Sequence, residues 1–136
     1  MILTLSVMLV AITSFAGKPP VPVQKAFEQK YPGCIEVTWI KETASIWEAF
    51  FVINGTNRSA DFAEDGTWIE TEIEIQESEL PAAAHTDILT NCSGWTIAEA
   101  NRIETEENTI LYAVDIRKGV MKRVVAFQED GTPVAN

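Results

Sequence analysis

The sequence predicts an α+β protein in which two tandem α-β-β-β-β repeats form an antiparallel sheet with the helices packed on one face. Three observations lead to this prediction. The two halves of the chain resemble each other, each half begins with a short amphipathic segment, and alternating apolar runs separated by Gly-containing turns follow that segment. Helices combined with runs of antiparallel strands are typical of the α+β class.

The internal similarity is clearest near the end of each half. Residues 58–67 align without gaps with residues 123–132, at an offset of 65, and six of the ten positions are identical. The identical positions include Phe62/Phe127 and the turn sequence Glu-Asp-Gly-Thr. This self-similarity predicts a duplication of one supersecondary unit.

Each half is predicted to begin with a short helix. The apolar residues of the first helix recur at helical spacing, and they are Val23, Ala26, Phe27 and Tyr31. Pro22 fits its first turn, and Pro32-Gly33 ends it. In the second half the apolar stripe consists of Leu80, Ala84 and Ile88. There Pro81 opens the helix and Ser78 is the predicted N-cap.

The strands follow from alternation and from turn chemistry. In the first strand Ile35, Val37 and Trp39 should share one face. The later strands are predicted at residues 46–53, 58–63, 68–76, 96–105, 109–117 and 120–128, with a stub at residues 133–134. The second strand is apolar on both faces except for Glu48. Asn-Gly, Asp-Gly and Lys-Gly pairs turn the hairpins because Gly adopts a positive φ without steric cost.

Composition narrows the function. The 136 residues include ten Lys and Arg against twenty Asp and Glu, a net charge of −10, and a single His. This acidity argues against nucleic-acid binding, since the one dense basic cluster is Arg117, Lys118, Lys122 and Arg123. An apolar content of 46% is enough for a core. Few side chains suit catalysis, so we predict neither enzymatic activity nor a cofactor.

The N-terminus predicts export. Residues 1–16 carry no charged side chain, and the apolar run is shorter than the roughly 20 residues that a membrane span needs. Ser14 and Ala16 supply the small residues of a cleavage site. We therefore expect a signal peptide at residues 1–16, a periplasmic or secreted mature chain, and no membrane span after cleavage. A membrane anchor or a buried strand is the alternative.

A family resemblance follows from the motifs. The first helix ends in Lys-Tyr-Pro-Gly, a later strand carries an aromatic residue near its start in each half (Trp47, Tyr112), and each half contains Phe-x-Glu-Asp-Gly-Thr. This pattern resembles the PepSY-like repeat and is similar to secreted PepSY-like proteins grouped as beta-lactamase-inhibitor-like (BLIP-like), common in Bacteroidetes-type bacteria. The resemblance covers residues 20–134. It implies two repeats, at residues 17–78 and 79–136, that form one continuous domain.

The resemblance implies a non-enzymatic binding module whose sheet offers a concave face to a protein partner, and it implies no catalytic residues. The second half departs from the pattern, because Asn91-Cys-Ser-Gly94 replaces Tyr-Pro-Gly and the last strand is nearly absent. Because the second repeat lacks most of its last strand, we expect a smaller docking surface than two full repeats would offer. The partner's identity does not follow from the motifs.

Two groups of side chains are candidates for binding. Glu70, Glu72 and Glu74 alternate with Ile, Thr and Ile, so they form a carboxylate row on one strand face. The row is either a docking face for a basic partner or a solvated face that discourages edge pairing. The aromatic candidates are Trp68, Trp47 and Tyr112, which either anchor an interface or fill the core. We expect Trp68 to be the most exposed of them, beside the acidic row.

The other groups of residues give weaker indications of function. Cys34 and Cys92 lie near the helix ends of their halves, and the sequence leaves open whether they form a disulfide. No metal-ligand spacing is present. Two alternative functions remain: a small metal-dependent envelope enzyme using Asp61 and Asp65, and a self-assembling structural protein that pairs through the edge left by the short last strand.

Overall fold

The computed structural model describes residues 16–135, so the predicted signal peptide lies outside the described residues except for Ala16. Seven strands form one antiparallel sheet in chain order, with two helices. The elements are α1 (Val21–Lys30), β1 (Ile35–Lys41), β2 (Ile46–Ile53), β3 (Thr56–Ala63), β4 (Trp68–Ile75), α2 (Ala82–Asn91), β5 (Thr96–Thr105), β6 (Ile110–Lys118) and β7 (Met121–Gln128). The predicted α+β class is confirmed.

Each helix covers its own part of the sheet. Helix α1 buries Val23 and Phe27 against β2 and β3 in a cluster completed by Tyr31, Trp47, Ala49, Phe51, Ala60 and Phe62. Helix α2 buries Ala84 and Ile88 in a second cluster, completed by Leu80, Cys92, Ala100, Val114, Ile116 and Phe127. The buried apolar stripes are those that the helical spacing predicts.

Both helices lie on the same face of the sheet, as predicted. Directly opposed residues on neighbouring strands share a face. One such row runs from Phe51 through Arg58, Ile73, Arg102 and Tyr112 to Phe127, and so joins the first cluster to the second. We call this side of the sheet the helix face and the opposite side the outer face.

The first strand departs from the predicted alternation. Between Ile35 and Thr38 the pairing of β1 with β2 shifts, and Glu36 has a φ of 58°. This β-bulge inserts one extra residue, so a side chain before it changes face relative to those after it. Trp39 packs against the α1 cluster, whereas Ile35 lies exposed on the outer face. The prediction that Ile35 and Trp39 share a face is wrong for this reason.

The connection between the halves also differs from the prediction. Ser78 is not the N-cap of α2, because residues Glu77–Glu79 form a short 3₁₀ helix of their own. The backbone N–H of Gln76 donates to Glu79 Oε2 at 2.8 Å, and Pro81 is the N-cap of α2. At the C-terminus the predicted stub is a single isolated bridge between Phe127 and Pro133.

The turn between β3 and β4 touches α1, and this contact makes a prediction. Gly66 has a φ of +93°, and a Cβ there would lie 2.7 Å from the Pro22 carbonyl oxygen. Gly55 has a φ of +76° but no heavy atom within 4 Å of an added Cβ. We expect Gly55→Ala to lower the free energy of unfolding by about 1 kcal/mol and Gly66→Ala by about 2–3 kcal/mol, since only the latter adds a backbone clash to the positive-φ strain. Urea denaturation measures both, and equal losses would show that the Pro22 contact relaxes.

Candidate functional site

The outer face carries acidic side chains on three adjacent strands. Glu48 of β2 lies opposite Asp61 of β3, and Asp61 lies opposite Glu70 of β4. Neighbouring strands are about 4.8 Å apart, so these three carboxylates form a line across the sheet. Glu72 lies two residues further along β4 on the same face. We call these four residues the acidic cluster.

Turn geometry explains the first part of this line. A two-residue turn at Asn54-Gly55 places Ile53 opposite Thr56, and the remaining pairs of β2 and β3 follow without a shift. Glu48 therefore falls opposite Asp61. Sequence reasoning noted Glu48 only as an exception in an apolar strand and considered Asp61 only as a metal ligand. Residues counted outward from the two-residue Asn-Gly turn pair Glu48 with Asp61, and this was the signal in the sequence that connects them.

Partial burial changes the acidity of the cluster. Burial and, after it, the neighbouring Glu48 carboxylate together raise the pKa of Asp61 to about 8. Burial likewise raises the pKa of Glu48 to about 7 and that of Glu72 to about 7. The pKa of Glu70 is also raised, mainly by burial. Each carboxyl therefore holds a proton at a higher pH than it would in water.

No Lys or Arg faces the acidic cluster from β1 to β5, as far as residues 16–135 describe this surface. The three cations of these strands lie opposite helix-face residues: Lys41 opposite Trp47, Arg58 opposite Phe51, and Arg102 opposite Tyr112. They therefore lie on the other side of the sheet. Like charges directly opposite one another on neighbouring strands are destabilising. The cluster is thus a concentration of carboxyl groups that no Lys or Arg of these strands neutralises, and protonation rather than ion pairing limits its charge.

The apolar side chains on the two sides of the acidic cluster differ in exposure. On the side toward β1, Phe50 is 42% exposed next to the exposed Ile35. On the other side, Glu72 lies opposite Ile103, and Ile103 lies opposite Leu111. These two apolar side chains are only 2% and 4% exposed. Neither α1 nor α2 packs on the outer face, so the exposed apolar margin beside the acids is the part toward β1 and β2.

The structure separates the predicted aromatic and acidic residues. Glu70, Glu72 and Glu74 share the outer face, and Asn57 donates to Glu74 Oε2 at 2.6 Å. The aromatic candidates all lie on the helix face, where Trp68 and Tyr112 are half-buried and Trp47 is buried. The expectation that Trp68 stands beside the acidic row is wrong.

A second β-bulge is the physical reason. Asp61 pairs with Glu70 but Phe62 pairs with Trp68, so Ile69 is an extra residue in β4. The bulge turns Trp68 away from the face of Glu70. The Trp68 indole N–H donates to the buried Thr71 hydroxyl at 2.9 Å, and Lys30 Nζ lies 3.7 Å from its ring centroid. Thr71 also hydrogen-bonds the Tyr31 hydroxyl, so this network fixes the end of α1 to the sheet.

The remaining candidates have structural surroundings. Asp65 Oδ1 accepts the Thr67 backbone N–H at 2.8 Å, and this bond lowers the pKa of Asp65, as expected for a turn residue. Cys34 and Cys92 are free thiols that pack in different core clusters. Across residues 16–135, no three His, Cys, Asp or Glu side chains are grouped so that they could hold a metal ion. In the same range no helix combines the length and the apolar character that crossing a membrane requires.

Comparison with solved structures shows that other proteins share this fold. The sequence matches no protein-family profile and no curated protein. Its structure is similar to a protein from Bacteroides eggerthii described as predicted to be periplasmic, with a TM-score of 0.79, 23% identity and 88% of each chain covered. A DUF2874 family protein from Bacteroides uniformis gives a TM-score of 0.78 at 20% identity, covering 87% of this chain and 88% of that one.

A BLIP-like protein from Bacteroides fragilis gives a TM-score of 0.71 at 21% identity, with coverage of 88% of this chain and 85% of that chain. At these identities the comparisons show a shared fold over nearly the whole described chain. The resemblance to BLIP-like proteins is therefore supported at the level of architecture.

Proposed function

We propose that the chain is a non-enzymatic, periplasmic or secreted binding module of the PepSY-like, BLIP-like kind, which takes a basic protein partner on its outer sheet face. One observation carries the proposal: the acidic cluster spans three strands of a face on which neither helix packs, with no cation opposite it in the described part of β1 to β5. Glu70, Glu72 and Glu74 keep the binding role that the sequence predicts, with Glu48 and Asp61 added.

The electrostatics favour a positively charged partner. Ionising the cluster opposes folding, because burial and mutual repulsion raise the pKa values of its members. Lys or Arg side chains of a partner would relieve that repulsion and would lower the pKa values of the cluster, so that binding favours the ionised carboxylates. Phe50 and Ile35 offer exposed apolar area next to the acids. An aromatic residue beside a charged patch is typical of an interface anchor.

Export and duplication complete the proposal. The uncharged apolar segment at residues 1–16 supports a signal peptide, and the fold shared with a protein described as periplasmic is in line with it. The two helix-covered clusters, one in residues 17–78 and one in residues 79–136, support the tandem repeat. Trp68, Trp47 and Tyr112 act in this proposal by holding the helix face together rather than by contacting the partner.

The proposal predicts selective loss of a partner on neutralising the cluster. Immobilised protein is incubated with a bacterial envelope fraction, and bound protein is quantified by mass spectrometry. We expect Glu48→Gln/Asp61→Asn/Glu70→Gln to capture at least tenfold less of the basic partner, because charge complementarity sets both steering and register. The matched control is Glu28→Gln/Glu106→Gln/Glu107→Gln, which removes three exposed acids elsewhere. Equal capture by wild type and cluster variant would contradict the proposal.

The alternatives receive less support from the described residues. For the metal-dependent enzyme, Asp65 is engaged by its own turn and lies outside the line formed by Glu48, Asp61 and Glu70. For self-assembly, β7 is an edge strand, but it carries Lys122 and Arg123, and charged edge residues discourage strand pairing. The binding module therefore fits the geometry best.

A further inference from the structure

We propose that the tip of the β6–β7 hairpin docks the protein on an anionic lipid surface. The tip comprises residues 117–123, and its charged and apolar side chains are Arg117, Lys118, Val120, Met121, Lys122 and Arg123. We call these residues the basic tip. The inference is independent of the outer-face proposal, because the basic tip lies at a different place in the sheet.

The basic tip concentrates positive charge in a strongly acidic chain. It holds four of the ten cationic residues within seven positions, and the remaining six cations are spread among twenty acids. Every residue from 117 to 124 is exposed. Arg117 lies directly opposite Lys122, which is a repulsive cross-strand pair. Burial raises the pKa of the neighbouring Asp115, and Arg117 and Lys122 lower it, so these two cations offset one acid of the fold. Lys118 lies opposite Met121 and Arg123 lies opposite Ile116, so these two cations have no acidic partner across the strands.

Exposed apolar side chains project from the same tip. Val120 is 99% exposed and Met121 is 52% exposed. Lys118 pairs with Met121, so Gly119 and Val120 are the central residues of a two-residue turn, with a φ of 61° at Gly119. Such a turn needs Gly at its first central position but does not need an apolar side chain at the second. The turn exposes whichever residue stands at this position, and turn chemistry does not require that residue to be Val.

The first half of the chain provides an internal comparison. Its β2–β3 hairpin has the same two-residue form and lies 65 residues earlier, with Ile53 opposite Thr56 and Val52 opposite Asn57. None of these residues is charged, and the turn itself is Asn-Gly. The next residue, Arg58, matches Arg123, so the first hairpin has one cation where the basic tip has four. The other three cations, Arg117, Lys118 and Lys122, and the projecting Val120 are thus additions to the hairpin rather than requirements of it.

The acidic cluster is far enough away not to oppose docking. Along β5, Ile103 lies opposite Glu72, the nearest member of the acidic cluster, whereas Thr96 lies opposite Arg117. Seven residues of strand correspond to about 23 Å, and the Debye length at physiological salt is about 8 Å. The acids closest to the tip along the chain, Asp115 and its partner Glu99, lie on the body side of Arg117. The protein is therefore polarised, with its positive charge concentrated at the tip of the last hairpin.

A lipid surface fits this combination better than an acidic protein does. The apolar side chains stand at the end of a projecting turn and the cations surround them. Cations at the level of the lipid phosphates and apolar side chains just below them are typical of interfacial membrane binding. A protein partner would have to supply a groove that fits a single turn. We therefore infer an anionic bilayer as the ligand.

Vesicle binding tests the inference with the full chain. Retention is measured by flotation on vesicles of phosphatidylcholine alone and of phosphatidylcholine with phosphatidylglycerol at equal parts, at low and high salt. Residues 1–16 carry apolar but no charged side chains, so the readout is the ratio of affinities for the two compositions, in which the apolar contribution common to both cancels. We expect a wild-type ratio of at least tenfold at low salt, and a ratio near one in 0.5 M NaCl.

Charge reversal at the tip should abolish that preference. We expect Lys118→Glu/Lys122→Glu to reduce the ratio to near one, and Val120→Asp, at a fully exposed turn position, to reduce it several-fold. The matched control is Lys25→Glu/Lys30→Glu, which changes the net charge equally at exposed positions of α1 and should keep the wild-type ratio. Circular dichroism verifies that each variant is folded. A wild-type ratio near one, or equal loss in the control, would overturn the proposal, including in favour of an acidic protein partner.

Discussion

Replacing Phe27 with Ala is expected to lower the free energy of unfolding by about 3–5 kcal/mol. Phe27 is, with Val23, one of the two buried residues of α1. Its ring centroid lies 5.0 Å from that of Phe51, 5.1 Å from that of Trp39 and 5.4 Å from that of Tyr31. The contacts with Phe51 and Trp39 are edge-to-face, which adds to the value of area burial. Truncation removes these contacts and leaves a cavity beneath the helix.

Urea denaturation followed by Trp fluorescence and circular dichroism measures this loss. The matched control is Leu89→Ala in α2, where the side chain is 67% exposed and the expected loss is below about 0.5 kcal/mol. A loss below about 1.5 kcal/mol for Phe27→Ala would mean that α1 contributes little to the core. Such a result would also question the Tyr31–Thr71–Trp68 network as the anchor of α1.

Replacing Asp61 with Asn is expected to stabilise the protein above neutral pH. Burial and the neighbouring Glu48 raise the pKa of Asp61 from 3.8 to about 8 in the folded chain. The unfolded chain releases this proton near pH 4, so between pH 4 and 8 the folded state binds more protons than the unfolded state. Asp61 therefore makes its full contribution to the free energy of unfolding below pH 4, and that contribution is lost as the pH rises through 8. Asn does not titrate and avoids this loss.

The expected gain is about 2 kcal/mol or more at pH 8.5 and close to zero at pH 4, since one pKa unit corresponds to about 1.4 kcal/mol. Urea unfolding at a series of pH values measures it. Asp65→Asn serves as the control, because hydrogen bonds from Thr67 lower the pKa of that exposed turn carboxylate. Its effect should not become more favourable as the pH rises. A wild-type stability that increases between pH 5 and 8 would contradict this account of the cluster.

The sequence alone supports part of the Phe27 prediction but little of the Asp61 prediction. The helical spacing of Val23, Phe27 and Tyr31 predicts the buried stripe of α1, and the structure confirms it. Nothing in the spacing predicts that the rings of Trp39 and Phe51 meet Phe27, because they arrive from different strands. The Asp61 prediction depends still more on packing, since desolvation has no counterpart in the sequence pattern.

The candidate site shows the same division. The alternation of Glu70, Glu72 and Glu74 predicts a row of carboxylates along one strand, and the register confirms that they share a face. The line across the sheet, from Glu48 through Asp61 to Glu70, depends on lateral pairing. The Asn54-Gly55 turn fixes half of it, so sequence reasoning had the signal but did not use it.

The sequence by itself determined the order of the elements, the hairpin turns and the stripe that each helix buries. These features depend on local chemistry: Gly at turns with positive φ, Pro in or just before the first helical turn, and the hydrophobic period along the chain. Only the tertiary structure decided which face Ile35 and Trp68 occupy and which carboxylates stand together. A single extra residue at each of two bulges reverses the face of the side chains before it, and burial depends on neighbours remote in sequence.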